Sequence, residues 1–288
     1  MNLRFLQTVV AFSEADSLVA AARSLGLSHS AVSLQIKSLE EELQINIVDR
    51  TTRPPRMTDD GLRLVDHARQ MLTVADDIRA IGEADTLVGS VTIGVVPSAL
   101  VRLMPPALAR LRAAHPRLDI QIRSGLSEQL LADVLNRDLD VALVTEPEVV
   151  ADGMISALIC REPLDVIAST SVTQTSITAI LTQNPFIWFS RRTLTGQQIE
   201  RHLRHRKLVL KTAMEIDSIE AIESLVANGF GVSVSPRRTG FTTPDPKLRR
   251  ISFQDPPLSR GLSLISLERN PRKRVVHALR GELQHILP

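Results

Sequence analysis

Apolar residues in the first fifty positions recur every three or four residues, which is the period of α-helices with one buried face. Three such segments follow one another closely. The first runs from Leu3 to about Ser13, the second starts after Ser17, and the third starts after Ser28. Both later starts carry a serine that can cap the helix, and Gly26 separates the two segments. Two short helices joined by a tight turn that contains a glycine predict a helix-turn-helix.

The third predicted helix has two different faces. Its apolar residues Val32, Ile36 and Leu39 are spaced as a buried stripe. This spacing turns small polar and cationic side chains outward, where they could enter the major groove of DNA and where one leucine could contact a thymine methyl group. The alternative is an ordinary solvated helix face. The outward set comprises His29, Ser30, Ser33, Leu34 and Lys37.

A short strand is predicted at residues 45–48, and an arginine-rich segment with two prolines follows it. Its cations are Arg50, Arg53 and Arg56, and no acidic residue lies among them. A rigid, acid-free hairpin directly after a recognition helix is typical of a wing that contacts phosphates or the minor groove. The pattern therefore predicts an all-α winged helix-turn-helix domain over residues 1–58.

A long amphipathic helix is predicted from Thr58, which can cap it, to about Ala84, so that residues 59–88 form a linker. Apolar residues along it are spaced by three and four, which favours pairing with a second helix in a dimer. The alternative is that this stripe packs on the globular domain of its own chain. The candidate dimerisation residues are Leu62, Val65, Leu72 and Ile78.

From residue 89 onward, apolar strands alternate with helical segments, which predicts an α/β domain with parallel strand pairing. The predicted strands are 91–96, 118–122, 141–144, 164–168, 186–189, 232–234 and 262–267, and the predicted helices are 99–114, 127–136, 218–228 and 271–286. The two successive series predict two lobes within residues 89–288. Lobe I is expected at about 89–162 and 266–288, and lobe II at about 163–265.

Ligands of open α/β sheets bind at the carboxyl ends of the strands, which selects a small set of candidate effector-binding residues. The helix start at Pro97, Ser98 and Ala99 could hold an anion on its backbone N–H groups. Ser98 and Asp217 are equally explained as helix caps, and Glu215 as a member of an ion pair. The candidate set is Pro97, Ser98, Ala99, Thr145, Phe189, Ser190 and Glu215.

Composition is that of an ordinary globular protein, and charge alone gives no support to DNA binding. The 288 residues are 43% hydrophobic and 23% charged, with a formal net charge of +2. Acidic residues outnumber cationic ones in residues 1–60, so only the placement of the cations can favour DNA. The cations there are Arg4, Arg23, Lys37, Arg50, Arg53 and Arg56, and the acids are Glu14, Asp16, Glu40, Glu41, Glu42, Asp49, Asp59 and Asp60.

No apolar run reaches the roughly 20 residues that span a bilayer, and we see no signal-peptide cleavage pattern. Cys160 is the only cysteine, so an internal disulfide is excluded and a packed thiol in a cytoplasmic protein is expected. His202 and His205 lie in a cationic helix without an acid or a cysteine that would complete a zinc site. The basic stretch at residues 201–211 is interpreted as a solvated face, with contact to DNA or an anionic ligand as the alternative.

Gly229-Phe230-Gly231 stands at a helix end and lacks the third glycine of a dinucleotide-binding loop. The sequence also lacks a Gly-x-Ser-x-Gly elbow and a phosphate-binding Gly-Lys-Ser motif. We therefore expect neither an enzyme nor a bound metal or cofactor, and no membrane partner.

Residues 21–40, together with Asp49-Arg50-Thr51 and residues 57–61, resemble the LysR-type transcriptional regulators over about sixty positions. The resemblance implies a homodimer or homotetramer that binds double-stranded promoter DNA, responds to a small-molecule effector and contacts RNA polymerase. In that family, the start of the third helix and the wing arginines contact DNA. The corresponding residues, together with the outward-facing leucine, are Ser28, His29, Ser30, Ser33, Leu34, Gln35, Lys37, Arg50 and Arg53. The family often has glutamine in place of His29 and arginine or histidine in place of Leu34, so base preference is the property that these departures affect.

The C-terminal two thirds resemble more loosely the effector-binding domain of the same family, which is shaped like the periplasmic solute-binding proteins. The landmarks are Gly94, Pro97 and residues 103–105, 138–142, 162–164 and 226–232. This resemblance implies an effector bound between the two lobes. Two rival functions are a solute-binding or transport receptor and an enzyme built on the same lobes. Residues 1–60 argue against the first rival, and the lack of a catalytic constellation argues against the second.

Overall fold

The computed structural model of the chain describes residues 1–15, 17–52, 54–79, 87–237, 245–254 and 256–287. The chain forms two compact units, Met1–Ser90 and Val91–Pro288. Its α/β class agrees with the sequence prediction, with an N-terminal unit dominated by helices. Over the described residues, no helix combines the length and the apolar character that crossing a membrane requires.

The first unit is a winged helix-turn-helix followed by a long helix. Its elements are α1 (Leu3–Ser13), α2 (Leu18–Ser24), α3 (His29–Leu43), β1 (Val48–Asp49), β2 (Arg56–Met57) and α4 (Asp59–Arg79). Ser17 and Ser28 cap α2 and α3, since each side chain accepts a hydrogen bond from a backbone N–H of the first helical turn. Strands β1 and β2 pair antiparallel and form the wing. The predicted order of elements is therefore present.

One tight contact joins the wing to α4. The Thr58 hydroxyl donates to the carbonyls of Asn46 and Ile47 and accepts from the backbone N–H of Gly61 at 3.0 Å. Gly61 lies so close to the Ile47 carbonyl that any side chain there would collide with it. This contact explains why the capping threonine and the glycine stand together at the start of α4.

The apolar residues of α4 divide between two faces, which corrects the predicted dimerisation set. Val65 is only 2% exposed, and Leu72 packs against the same core as α1. Both residues therefore face the winged domain of their own chain, as the alternative interpretation held, because α1 needs an apolar surface to cover it.

Leu62 and Ile78 are 51% and 61% exposed. At about 100° per residue they lie on nearly opposite sides of the helix, so they cannot belong to one contact stripe. The exposed apolar stripe of α4 comprises Met71, Val74 and Ile78. Of the four predicted dimerisation residues, only Ile78 belongs to this stripe. The predicted continuation of α4 to Ala84 lies outside the described residues.

The second unit contains two α/β lobes. Lobe I consists of β3 (Gly89–Val95), α5 (Pro97–Leu100), α6 (Met104–Ala114), β4 (Leu118–Ser124), α7 (Ser127–Leu135), β5 (Val141–Thr145), the first part of β6 (Met154–Ser169), β11 (Ser259–Leu267) and α11 (Lys273–His285). Lobe II consists of the rest of β6, α8 (Ile177–Gln183), β7 (Pro185–Phe189), α9 (Leu194–His205), β8 (Lys211–Ile216), α10 (Ile219–Ala227), β9 (Ser233–Pro236) and β10 (Leu248–Ser252).

Two long strands cross between the lobes. One sheet has the strand order β10-β6-β11-β5-β3-β4, with β9 also paired to β6. The predicted parallel pairing is correct for β3 with β5 and for β7 with β8. The crossing strands β6 and β11 are instead antiparallel to each other, and β11 is antiparallel to β5. The lobes are thus joined through the hydrogen bonds of β6 and β11.

Several boundaries differ from the sequence prediction for physical reasons. The predicted helix 99–114 is two helices, because Pro105 and Pro106 cannot continue a helix from the preceding turn. The chain returns to lobe I with β11, whose Leu262–Ser266 segment pairs with β5, rather than at residue 266. Strand β8 was not predicted because its Lys-Thr-Ala-Met-Glu-Ile sequence mixes polar and apolar residues and none of its side chains is buried.

Candidate DNA-binding surface and effector cavity

The outward face of α3 is exposed and carries most of the predicted DNA-contacting side chains. His29, Ser30 and Lys37 are exposed, Ser33 is partly exposed, and Leu34 is 68% exposed. The stripe beneath them, Val32, Ile36 and Leu39, is at most 1% exposed. Since the buried stripe is packed against α1, α3 has one orientation, and the outward set is presented together.

Ser28 and Gln35 serve the structure of the helix-turn-helix. The Ser28 hydroxyl accepts the N–H of Ala31 at 3.2 Å and lies 3.0 Å from the Ser30 hydroxyl. The Gln35 side chain lies on the inward side of α3, where its amide oxygen accepts a hydrogen bond from Thr8 of α1 at 2.5 Å. Gln35 lies three residues after Val32, so the helical period places it near the buried face. This spacing could have identified its structural role from the sequence.

Arg50 is held by an ion pair at the base of the wing. Its guanidinium donates to both carboxylate oxygens of Glu40, at 3.3 and 2.9 Å. The same carboxylate accepts the backbone N–H groups of Ile47 and Val48, at 2.9 and 3.1 Å. Arg50 therefore ties the wing to the end of α3, although half of its side chain is exposed and could also contact a phosphate. Arg53 lies outside the described residues.

Acidic side chains near this surface are occupied by internal bonds. Partial burial acts to raise the pKa of Glu40, but the hydrogen bonds from Arg50, Val48 and Ile47 outweigh it and hold this pKa below its usual value. The carboxylate of Asp49 accepts both the hydroxyl and the N–H of Thr51. Glu40 is therefore ionised at neutral pH, and a DNA phosphate would have to compete with it for Arg50.

One acid on the outward face of α3 was missed by the sequence interpretation. Glu41 lies 3.6 Å from the Nζ atom of Lys37, one turn away, and both side chains are about two thirds exposed. A pair this exposed contributes little stability. Lys37 can therefore leave Glu41 when a phosphate or a base is present.

A cavity of about 60 Å³ lies in the second unit, at the carboxyl ends of strands from both lobes. It contains four of the predicted effector-binding residues: Pro97, Ser98, Thr145 and Phe189. Asp217, which the sequence interpretation weighed as a cap, also lines it. The lining residues that the sequence interpretation did not select are Val96, Gly125, Leu126, Ser127, Thr193, Thr195 and Arg260. The rule that ligands bind at strand ends correctly predicted the location of the cavity, but it did not identify Arg260 as a lining residue.

Arg260 is the largest buried polar side chain at the cavity, with 1% exposure. Its Nε and Nη2 atoms donate to one carboxylate oxygen of Glu162, at 2.9 and 2.7 Å. The two residues face each other in the register of β11 and β6. Opposite charges at facing positions of two crossing strands are a signal that could have identified this pair from the sequence once the strand register was known.

The remaining donors of Arg260 reach both lobes. Its Nη1 atom lies 3.1 Å from the Ser98 hydroxyl of lobe I and 3.4 Å from the Thr195 hydroxyl of lobe II. The hydroxyls of Thr195 and Thr145 are 3.2 Å apart across the cavity. Arg260 thus joins the crossing strand β11 to the ends of both lobes through one guanidinium group.

Three predicted effector residues lie away from the cavity lining. Ala99 is fully buried in the core, and the Ser190 hydroxyl accepts the N–H of Arg192. Glu215 forms an ion pair with Arg191 at 2.7 Å, which was the stated alternative, and this guanidinium holds the pKa of Glu215 below its usual value. Glu215 is therefore an ion-pair partner on the surface of lobe II.

The basic helix α9 uses its cations within the domain. Arg201 forms an ion pair with Glu148, and Arg204 with Glu200. Arg206 donates to a ring nitrogen of His202, and burial followed by this neighbouring cation lowers the pKa of His202. Over the part of the chain that the structure describes, no three His, Cys, Asp or Glu side chains are placed to share a metal ion.

Cys160 lies on β6, two residues before Glu162. Burial raises the pKa of its thiol to about 11, the Glu162 carboxylate acts in the same direction, and Arg260 acts in the opposite direction. The thiol is therefore protonated at neutral pH, as expected for a packed residue rather than a nucleophile.

Two protein-family models match the chain. The model described as a bacterial regulatory helix-turn-helix protein of the lysR family matches residues 3–62, and the LysR substrate binding domain matches residues 84–287. The nitrogen assimilation regulatory protein nac of Escherichia coli is 30% identical, with 82% of this chain and 78% of that protein covered. The hydrogen peroxide-inducible genes activator of Haemophilus influenzae is 28% identical over 100% of this chain and 99% of that protein.

Solved structures have the same fold. A full-length OxyR variant from Pseudomonas aeruginosa superimposes with a TM-score of 0.72 at 21% identity, covering 99% of this chain and 95% of that one. Full-length CbnR in complex with its target DNA gives a TM-score of 0.63 at 20% identity, covering 98% and 100%. Because the helix-turn-helix and the substrate-binding models together match almost the whole sequence, this chain belongs to the LysR family of DNA-binding transcriptional regulators and is not an enzyme.

Proposed function

We propose that this regulator binds promoter DNA as a homodimer through the outward face of α3 and the wing, and that a small molecule in the cavity of the second unit modulates this binding. The proposal of DNA binding rests on the geometry of α3. Its buried stripe leaves Leu34 and Lys37 exposed on one face, beside His29 and Ser30. A helix with this set of side chains fits the major groove.

Each exposed side chain has a role that follows from its chemistry. Lys37 can contact a phosphate or a guanine, and Leu34 can contact a thymine methyl group. His29 and Ser30 offer hydrogen-bonding groups to base edges or phosphates. Arg50, held by Glu40, positions the wing, and Arg56 is exposed on β2. A contribution from Arg53, and contact with RNA polymerase, stay predictions from the sequence.

Dimerisation is proposed through the exposed apolar stripe of α4, Met71, Val74 and Ile78. These residues are spaced by three and four, which places them on one face for pairing with a second copy of the helix. Two copies would engage two half-sites, which raises affinity for a domain that makes few contacts by itself. Light scattering with the double substitution Met71→Glu and Ile78→Glu tests this, because a second copy should no longer bind. It also distinguishes a dimer from a tetramer.

The effector part rests on the cavity that both lobes line. A ligand changes the equilibrium between two lobe arrangements only if it binds them with different affinities. Ser98 and Thr145 belong to lobe I and Phe189 and Thr195 to lobe II, and all four contribute to the lining. A molecule that touches all of them would have its contacts changed by any movement between the lobes.

Fluorescence anisotropy on DNA from upstream of the regulated gene tests the DNA-binding surface. Lys37→Ala should weaken binding and reduce the salt dependence by about one counterion. Leu34→Ala should weaken binding mainly to the specific site. Arg63→Ala is the matched control, because Arg63 is an exposed cation of the same unit that lies on α4 and pairs with Asp60. Unchanged binding in both α3 variants would refute the assignment of this face.

A further inference from the structure

The lining of the effector cavity contains buried hydrogen-bond donors and one exposed carboxylate. Arg260 is buried, with the hydroxyls of Ser98 and Thr195 next to it, and we call this part of the lining the buried end. Asp217, an exposed side chain, lies at the rim. A ligand that fills the cavity must therefore satisfy hydrogen-bond donors inside and an acceptor outside.

The buried end offers donors. The Ser98 and Thr195 oxygens accept from Arg260 Nη1, which leaves the Ser98 proton to donate to a ligand, while the Thr195 hydroxyl also pairs with that of Thr145. A hydroxyl that accepts from a cation is polarised, and its own hydrogen bond to an anion is strengthened. The carboxylate of a ligand is the group that matches several such donors at once.

Glu162 determines how strongly this end is charged. Its carboxylate is 2.7 Å from Arg260 Nη2 and is itself buried, so the pair is close to neutral before any ligand binds. A single carboxylate then adds one negative charge beside the guanidinium, which hydrogen bonds can stabilise. Glu162 and the ligand carboxylate would then share one guanidinium, so each further negative charge on the ligand would remain without compensation in a buried site. The buried end therefore suits a monoanionic group.

The rim and the sides restrict the rest of the molecule. An ionised aspartate only accepts hydrogen bonds, so Asp217 favours an amino or hydroxyl group on the ligand and repels a second carboxylate. Apolar atoms of Val96, Leu126 and Phe189 form the sides. The volume of about 60 Å³ limits the body of the ligand to a few carbon atoms.

We propose that the effector is a short 2-amino or 2-hydroxy carboxylic acid, with its carboxylate at Ser98, Thr195 and Arg260 and its amino or hydroxyl group toward Asp217. This inference rests on the proposed function, since it names the ligand class of the effector cavity. It also assigns a role to Arg260 as the residue that orients the ligand between the lobes.

Four compounds that differ by one group test the proposal on the full-length protein. They are L-alanine, L-lactate, propionate and L-alaninamide. The thermal unfolding temperature of the second unit is followed by the fluorescence of Trp188, the only tryptophan, which lies in lobe II. Binding to the folded state raises this temperature. L-Alanine or L-lactate should raise it most, propionate less, and L-alaninamide least, because it lacks the carboxylate.

Variants identify which groups the ligand contacts. Ser98→Ala and Thr195→Val should each weaken the binding of the best compound by about tenfold or more, as expected for loss of a hydrogen bond to a charged group. Asp217→Asn should reduce the advantage of L-alanine and L-lactate over propionate. Thr182→Val is the control, because the Thr182 hydroxyl bonds the Thr178 carbonyl within α8 and lies away from the cavity. Ser98→Ala and Thr195→Val leave the Glu162–Arg260 pair intact, so they test the site even if an Arg260 variant does not fold.

The outcomes separate this inference from the proposed function. A shift from L-alaninamide as large as that from L-alanine would overturn the ligand class, and so would the absence of a shift from all four compounds. Shifts that persist in both Ser98→Ala and Thr195→Val would overturn the assigned site. Sequence-specific DNA binding is measured by anisotropy without any compound, so a negative result with the four compounds would leave the DNA-binding part of the proposed function intact.

Discussion

The DNA-binding face of α3 and the effector cavity are built in opposite ways. The face is formed by five side chains of a single helix, all at least partly exposed: His29, Ser30, Ser33, Leu34 and Lys37. The cavity is formed by residues between 96 and 260, most of which are at least partly buried, with Arg260 at 1% exposure. On α3, the side chains that would contact DNA are different from those that stabilise the fold. At the cavity, side chains such as Arg260 both line the ligand site and stabilise the fold.

This difference has a consequence for mutation. An exposed side chain on a helix held by a separate buried stripe can change with little cost in stability. A buried ionic group cannot, because its partner is left without compensation. Selection can therefore alter operator preference on α3 more freely than ligand preference at the cavity, where each change must also preserve the Glu162–Arg260 pair between the crossing strands β6 and β11.

The largest expected effect is at the buried ion pair. Arg260→Met leaves Glu162 buried and unpaired, so the second unit should lose about 3–5 kcal/mol of unfolding free energy. The double variant Glu162→Leu with Arg260→Met removes both charges and should recover much of this loss. Urea denaturation followed by Trp188 fluorescence measures both values. If the double variant is as unstable as Arg260→Met, the loss does not come from leaving the Glu162 carboxylate unpaired.

The two faces of α3 provide a matched comparison inside one helix. Ile36→Ala removes a side chain that is 1% exposed and should destabilise the first unit by about 2–5 kcal/mol. Leu34→Ala should change stability by less than about 0.5 kcal/mol but weaken operator binding. Hydrogen exchange of α1 and α3 reports stability, and anisotropy reports binding. Equal destabilisation by the two variants would show that Leu34 is part of the core.

The carboxylate of Glu40 should make the wing sensitive to acid. Because the pKa of Glu40 in the folded state is below its usual 4.5, its stabilising contribution is present above that value and is lost as pH falls through the folded-state pKa. Glu40→Gln should cost about 1–3 kcal/mol at neutral pH and remove this dependence. Protection factors of the Ile47 and Val48 amides, corrected for intrinsic exchange at each pH, measure the effect.

Glu41→Gln is the control for the acid effect. Glu41 is the next residue on the same helix, but it is two thirds exposed and pairs with Lys37 on the helix surface. Its substitution should leave the protection of the wing amides unchanged. An equal response to both substitutions would mean that general charge, rather than the Glu40 contacts, orders the wing.

The same contrast explains what could be predicted from the sequence. Helical periodicity and serine caps placed α1, α2 and α3 closely, because their information lies within a few neighbouring residues. The strand-end rule placed Ser98, Thr145 and Phe189 at one cavity. Arg260 was missed because it lies on a crossing strand, where its function depends on the register with Glu162. The sequence also could not predict which apolar residues of α4 face the winged domain and which are exposed. Val65 and Ile78 are both apolar, and only the packing against α1 distinguishes them.

The smallest expected effect on DNA binding is that of Cys160, which lies close to the Glu162–Arg260 pair but does not line the cavity. With a pKa of about 11, about one thiol in ten thousand is ionised at pH 7. Alkylation of the folded protein by iodoacetamide should be about a hundredfold slower than that of the unfolded chain, whose thiol has its ordinary pKa of 9.0. Mass spectrometry of the Cys160 peptide measures the two rates.

Regulation by oxidation of a thiol is an alternative that Cys160 allows to be tested, because it is the only cysteine of the sequence. In this chain the only thiol is protonated and half-buried, so hydrogen peroxide should leave operator binding unchanged, and Cys160→Ser should bind DNA as the wild type does. Rapid oxidation of Cys160 together with a change in DNA affinity would contradict this. It would place a redox signal next to Arg260, and the cavity would then be coupled to thiol chemistry rather than to ligand contacts alone.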